Sequence, residues 1–325
     1  MWLLNACSWE MKDFMSEADT PPYAILSHTW SDEEVSFRDW DSEPWPRVQN
    51  KCCIDKSSSS ELSEAINSMF QWYANAAICY AYLSDVDHLA NATEDEVKSA
   101  LKQSRWITRG WTLQELIAPS DIVFYSKDWT AFGTRSKLSA TLAEIVFIEE
   151  SYLKGRPLDD ASIAQRMSWA SRRVTSREED LAYCLLGIFK VNIPLIYGEK
   201  SKAFQRLQGA IIHAYPEDHS IFAWGKSVKR FSHLVTDRNQ IWGTKPIEYD
   251  PSLAKLKLFS LLAESPADFM ESGKIVRAPL ANGYFDHSDE LYSPPFSIGN
   301  ATQVEFPVMP WEDYGAFHLK CPRIG

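Results

Sequence analysis

The chain is 325 residues long, 45% hydrophobic and 24% charged, a composition that gives room for two or three folded domains and excludes a disordered chain. A formal net charge of -11 and a pI near 5.2 leave no dominant basic surface, which argues against nucleic acid as a partner. No apolar run approaches the roughly 20 residues of a membrane span, residues 1–6 lack the basic and apolar regions of a secretion signal, and the six cysteines form no CxxC pair. A cytoplasmic protein with reduced thiols is the expectation.

In chain order, residues 23–26 are an apolar run behind Pro21 and Pro22 that ends in Ser27-His28-Thr29-Trp30, which predicts a buried strand feeding a loop. Ser58 and Glu61 make a capping box, behind which Leu62, Ala65, Ile66, Met69, Phe70 and Tyr73 recur at helical spacing. Ile66 and Phe70 are expected in the core. The nearly continuous apolar run 77–83 predicts a strand in a sheet covered on both faces. Thr93 and Glu96 cap a further helix leading into 106–117, where Trp106, Gly110, Leu113 and Ile117 share one apolar stripe. Trp111, Thr112 and Glu115 fall together on a different face, so Glu115 is not forced into the core, and Pro119 stops the helix. Glu115 is solvated or paired with Arg105 or Arg109 on the plainest reading. Residues 122–125 predict the next strand, and the alternation is the grammar of an α/β domain with a parallel sheet.

After about residue 135 helices take over, at 138–149, 161–171, from a Thr175/Glu178 capping box through 189, and at 201–214. Beyond Trp224 short apolar runs such as 273–276 and 304–306 are broken by Gly, Pro and Asn, with one helical segment near 253–262, and predict a small β-rich region. The expected domains are an α/β domain at 1–135, a helical extension at 136–224 and a β-rich region at 225–325.

Four blocks, Tyr23-Ala24-Ile25-Leu26-Ser27-His28-Thr29-Trp30, Cys52-Cys53-Ile54-Asp55-Lys56, Cys79-Tyr80-Ala81-Tyr82-Leu83-Ser84-Asp85 and Arg109-Gly110-Trp111-Thr112-Leu113-Gln114-Glu115-Leu116, occur in this order. Together they resemble the heterokaryon incompatibility (HET) domain of filamentous fungi, and the resemblance continues through Arg177-Glu178-Glu179-Asp180-Leu181-Ala182-Tyr183 and Tyr197-Gly198-Glu199. The family implies nonself recognition and programmed cell death, with self-association or other signalling proteins as partners. Its domain is similar to TIR domains, whose flavodoxin-like parallel sheet presents a glutamate in the helix after the third strand. Many TIR domains use that glutamate to split NAD, and Glu115 holds the matching place after the 77–83 strand. The resemblance thus makes Glu115 the catalytic candidate, with NAD as substrate and no cofactor required. By position, Ser27, His28, Trp30, Asp55, Arg109 and Trp111 are the ligand-binding candidates.

Single-carboxylate chemistry is reasonable here, because nicotinamide leaves a cationic pyridinium as a neutral molecule and needs little acid assistance. One departure bears on this. The family places a helix and a strand before Cys52, and the short interval 38–51, broken by Pro44 and Pro46, cannot hold both. Either the sheet lacks a layer element or the coding sequence has lost an exon, and loss of a helix would uncover one sheet face. A non-catalytic assembly module is the alternative function.

The remaining constellations read as structural. Cys52 and Cys53 with His28 could make a thiol-imidazole pair, but the lowered pKa and third orienting group it needs are not legible in sequence and buried strand cysteines are the expectation; adjacent cysteines without a second Cys/His pair do not make metal spacing, so no metal site is expected. Asp55 and Lys56 favour capping and solvation. Glu178, Glu179 and Asp180 beside Arg172, Arg173 and Arg177 predict ion pairs at a helix start, and the Tyr197-Gly198-Glu199 turn places a carboxylate at the next helix. No Gly-rich phosphate loop is present, which leaves a dehydrogenase or NTPase without support.

Overall fold

The computed structural model describes residues 1–5, 7–8, 10–14, 17–29, 58–89, 92–224, 262–276, 296–298 and 302–304. They fall into two compact units, Met1–Leu158 with Arg173–Leu207, and Asp159–Arg172 with Gln208–Gly325.

The first unit opens on an antiparallel pair, β1 (Trp2–Leu4) and β2 (Met11–Asp13). Its main sheet follows, in the order β3 (Ala24–His28), β4 (Ile78–Tyr82), β5 (Ile122–Tyr125) and β6 (Ala131–Thr134). β3, β4 and β5 are parallel and β6 closes one edge antiparallel, so the sheet is α/β with a parallel core as the alternation of elements implies. The register places Ser27 beside Ala81 and Ala81 beside Phe124.

Burial alternates along β4 and β5, with Cys79, Ala81, Ile122 and Phe124 buried and Tyr80, Tyr82, Val123 and Tyr125 half-buried. This corrects the expectation of a sheet equally covered on both faces. The apolar look of 77–83 comes from tyrosines, whose rings cover one another and whose polar ends stay near water. Tyr82 stacks on Trp129 at 4.4 Å between centroids, and Tyr80 meets Tyr125 edge-on at 5.7 Å. The face that carries Tyr80, Tyr82, Val123 and Tyr125 is only partly covered.

Among the described residues this unit carries the helices α1 (Ser59–Asn75), α2 (Glu94–Gln103), α3 (Arg105–Thr108), α4 (Thr112–Ile117), α5 (Ser139–Val146) and α6 (Glu150–Leu153). Beyond α7 (Ile163–Ala170), which belongs to the second unit, come α8 (Asp180–Tyr183) and α9 (Leu186–Phe189). Ser58 caps α1 by accepting the Glu61 amide at 3.3 Å, and Thr93 with Glu96 forms a complete capping box on α2. Ile66 is buried and Phe70 half-buried, packed so closely on α9 that a Cβ at Gly187 would lie 2.0 Å from the Phe70 Cβ.

Residues 106–117 are not one helix. Arg109 is extended (φ -75°, ψ 138°) and bridges to Val174, whose amide donates to the Thr108 carbonyl at 2.7 Å while Gly110 donates back to Val174 at 2.8 Å. Gly110 is required by this approach, since a Cβ there would meet Thr175 Cγ2 at 2.4 Å. The tertiary strand contact thus outcompetes helix propagation across a glycine. Thr175 likewise caps nothing: its hydroxyl donates to the Arg177 carbonyl, and the expected helix to 189 is the two short helices α8 and α9. The expected 138–149 helix stops at Val146, where Phe147 turns left-handed (φ 57°).

In the second unit all eight residues of α7 are buried. Asp218 and Ser220 accept the amides of Ile163 and Ala164 at 3.1 and 3.0 Å, which satisfies a helix start buried away from water. α10 (Lys202–Ala214) begins in the first unit and ends here, where the Gln208 amide pairs both ways with the Ala263 backbone at 2.9 Å. Residues 273–276 form a turn rather than a strand, β7 (Phe296–Ile298) pairs antiparallel with β8 (Thr302–Val304), and the segment expected near 253–262 lies outside the described residues except for Leu262.

Candidate functional site

Glu115 is 7% exposed, and all six residues of α4 are buried. This corrects the placement of Glu115 on a solvent-facing side. A six-residue helix enclosed all round has no outer face, so its carboxylate must find polar partners inside.

Those partners come from three elements. The Ser27 hydroxyl on β3 donates to Glu115 Oε2 at 2.5 Å, and Trp106 Nε1 on α3 donates to Ser27 Oγ at 2.7 Å. The Tyr73 hydroxyl on α1 bonds the same carboxylate and also lies 3.2 Å from the Leu26 carbonyl. Its single proton serves one of the two at a time. Trp106 is fully buried against Phe124, edge-on at 5.6 Å.

Two buried arginines fix α4 at its ends. At the start, Arg173 Nη1 donates to the Arg109 carbonyl at 2.8 Å and to Thr112 Oγ1 at 3.0 Å. At the finish, Arg135 Nη1 donates to the Leu116 and Ile117 carbonyls at 2.8 and 3.2 Å and Nη2 to Ser120 at 3.0 Å. The last-turn carbonyls, which have no partner within a helix, are thereby satisfied.

The electrostatics follow from this burial. Desolvation raises the Glu115 carboxyl above the ordinary carboxylate range, and the Ser27 bond, Arg109, Tyr73 and Arg173 oppose the rise without cancelling it. Burial and then the Glu115 charge push the Tyr73 hydroxyl and the Cys79 thiol upward. Arg173 is pushed down to about 10 by burial. A carboxylate held this way has little water to screen it, which strengthens its action on any positive charge developing beside it.

Of the ligand-binding candidates, Ser27 and Arg109 belong to the Glu115 cluster, Ser27 by contact and Arg109, half-buried, by charge. Trp111 is half-buried and turns its indole to Asp180. His28 ends β3 opposite Tyr82, so it points to the sheet face away from Ser27 and the two do not form one crevice. Trp30 and Asp55, with Cys52, Cys53 and Lys56, lie outside the described residues.

Tyr73, Trp106 and Arg173 were legible only as core or surface residues. Tyr and Trp carry a polar tip that needs a partner when buried, which is the signal the first two offered. The sequence places Arg173 with Glu178, Glu179 and Asp180 in an expected ion-pair cluster, and the structure divides that group. Glu179 accepts the Gly198 and Lys200 amides at 2.7 and 3.0 Å, and Asp180 accepts the Tyr197 hydroxyl at 3.1 Å, so these carboxylates hold the 197–200 turn. Glu199 accepts from the Tyr183 hydroxyl at 3.1 Å and pairs with Arg206.

A cleft of about 410 Å³ opens elsewhere on this unit, lined by Phe70, Ile117, Arg135, Tyr152, Arg156 and Leu158 among others, and Glu115 does not line it. Among the described residues no helix is long and apolar enough to cross a membrane, and no three His, Cys, Asp or Glu side chains are placed to hold a metal ion. Cys7, exposed, and Cys79 and Cys184, both buried, are free thiols.

A family model described as a domain of unknown function (DUF8212) matches residues 202–297. No solved structure matches the chain. The chain is 45% identical over 218 residues to the vegetative incompatibility protein HET-E-1 of Podospora anserina, a match covering 59% of this chain and 16% of that protein. The chain is therefore a relative of an incompatibility protein that it spans only in small part.

Proposed function

We propose that the chain acts in vegetative incompatibility, as a nonself-recognition module that hydrolyses NAD with Glu115. The similarity to HET-E-1 supports the biological setting. The catalytic reading rests on one observation, the Ser27 to Glu115 contact, which ties the α4 carboxylate to the last turn of side chains on a parallel strand. Open α/β sheets bind ligands at the carboxyl ends of their strands. The strand order also supports a TIR-like sheet, since β3 and β4 are direct parallel neighbours, as the first and third strands are in a flavodoxin-like order.

In the proposed reaction a water oxygen bonds to the ribose C1′ as the glycosidic C–N bond breaks. Nicotinamide takes the bonding pair and leaves neutral, and the surplus proton of the water passes to solvent. Glu115 contributes fixed negative charge against the oxocarbenium-like state, while Ser27, held by Trp106, fixes the carboxylate orientation. The test is nicotinamide release by purified wild type and Glu115→Gln. The variant keeps shape and loses charge, so its rate should fall about 100- to 1,000-fold with folding intact. Equal release by both proteins, or none by wild type at high concentration, defeats the catalytic reading.

A second reading, a non-catalytic assembly module, is favoured by the burial of Glu115 and its absence from the lining of the open cleft. On that reading the network only joins β3, α1, α3 and α4, wild type releases no nicotinamide, and Glu115→Gln changes stability alone.

A further inference from the structure

Arg173 is 7% exposed, and its guanidinium is only half used. Nη1 holds the Arg109 carbonyl and Thr112 Oγ1, whereas Nη2 is buried with no hydrogen-bond partner. Buried guanidinium N–H groups without an acceptor are costly, the more so for a charged group, and they persist where something else supplies the acceptor. Close by lies an acceptor, the Glu115 carboxylate, which takes hydrogen bonds from Ser27 and Tyr73 but none from Arg173. Glu115 feels the charges of Arg173 and Arg109, yet forms no ion pair with either, and burial outweighs attraction in both the acid and the base. The two groups act on each other through their charges with no hydrogen bond or ion pair between them.

The chemistry of what fits between them is restrictive. A phosphate or carboxylate oxygen accepts from Arg173 but is repelled by Glu115, and an ammonium has the reverse problem. A hydroxyl group satisfies both, since it accepts from a guanidinium N–H and donates to a carboxylate. Vicinal hydroxyls on a ribose supply that group twice on a rigid ring.

We infer that Arg173 is a positioning residue whose Nη2 receives a ribose hydroxyl oxygen while the proton of that hydroxyl is donated to Glu115. This rests on the reading of the chain as an NAD hydrolase and adds to it the contact that orients the sugar. Arg173 has two tasks, one nitrogen for the start of α4 and one for the ligand, and lysine, with a single nitrogen, performs only the first.

The experiment is steady-state hydrolysis of NAD by the full chain, wild type against Arg173→Lys, with thermal melts alongside. Loss of a charge-assisted hydrogen bond made in both ground and transition states raises KM about 10- to 100-fold and leaves kcat within about threefold. A purely structural role lowers the melting temperature and the active fraction, hence kcat, with KM unchanged, and that result overturns the assignment while leaving NAD hydrolysis in place. An NAD analogue lacking one hydroxyl on the nicotinamide ribose gives a second readout that works on wild type alone, so the test survives a variant that fails to fold. Wild type should lose about 10-fold or more in KM on that analogue and Arg173→Lys much less; no loss in wild type overturns the contact. If wild type neither hydrolyses nor binds NAD, the inference and the function it rests on fall together.

Discussion

Burial raises the Glu115 carboxyl, and the consequence for stability has a definite sign. Below the ordinary carboxylate pKa both folded and unfolded chains carry the proton, so the residue imposes no penalty. As pH climbs from that value through the raised folded one, the folded state gives up a proton it holds more tightly than the unfolded state does, and stability is lost. Glu115→Gln has no such proton. Its melting temperature should therefore gain on wild type as pH rises, with a larger difference near about pH 8 than near about pH 4. A difference that stays constant across that range would show that the network fully compensates the charge. The sequence singled out Glu115 and Ser27 through the motif blocks that carry them, and it missed that Trp106, assigned to an apolar stripe, supplies the N–H that fixes Ser27. Hydrophobic periodicity scores a tryptophan as apolar and does not see its donor.

At the scale of elements, the contact of α1 with α9 depends on the absence of a side chain. Gly187→Ala would bring a methyl to 2.0 Å from the Phe70 Cβ, which sits on the helix backbone and cannot rotate away. The expected loss is about 1 to 3 kcal/mol from overpacking, read as a lower melting temperature. Gly209→Ala is the matched control: it lies in α10 with nothing within 4 Å, so helix propensity predicts a gain of about 0.5 to 1 kcal/mol. If both variants melted like wild type, the close packing of α1 on Gly187 would be wrong. The Ser58 N-cap, the Thr93 capping box and the strands β3, β4 and β5 were readable because each depends on residues within a few positions of one another, although Glu61 does not complete a box at Ser58. The break at Arg109 was not readable, because its cause is Val174, a pairing partner far along the chain.

For the whole molecule, incompatibility signalling predicts that regulated expression in a fungal host slows growth or kills cells, and that Glu115→Gln relieves this if NAD hydrolysis is the lethal step. Normal growth at high levels of wild-type protein would count against toxicity. Self-association is tested by light scattering over a concentration series, where assembly without nicotinamide release supports the module reading and turnover by monomers opposes it. The amino-acid order by itself determined the α/β class, the neighbouring parallel strands, the capped helices and the carboxylate to examine, since periodicity and caps are local properties. Only the tertiary structure decided that this carboxylate is buried, because Ser27 and Glu115 are 88 positions apart and Arg173 and Thr112 are 61 apart. A buried polar group acquires its partners when the chain closes around it, and the choice among the serines, tyrosines and arginines able to serve is made by packing.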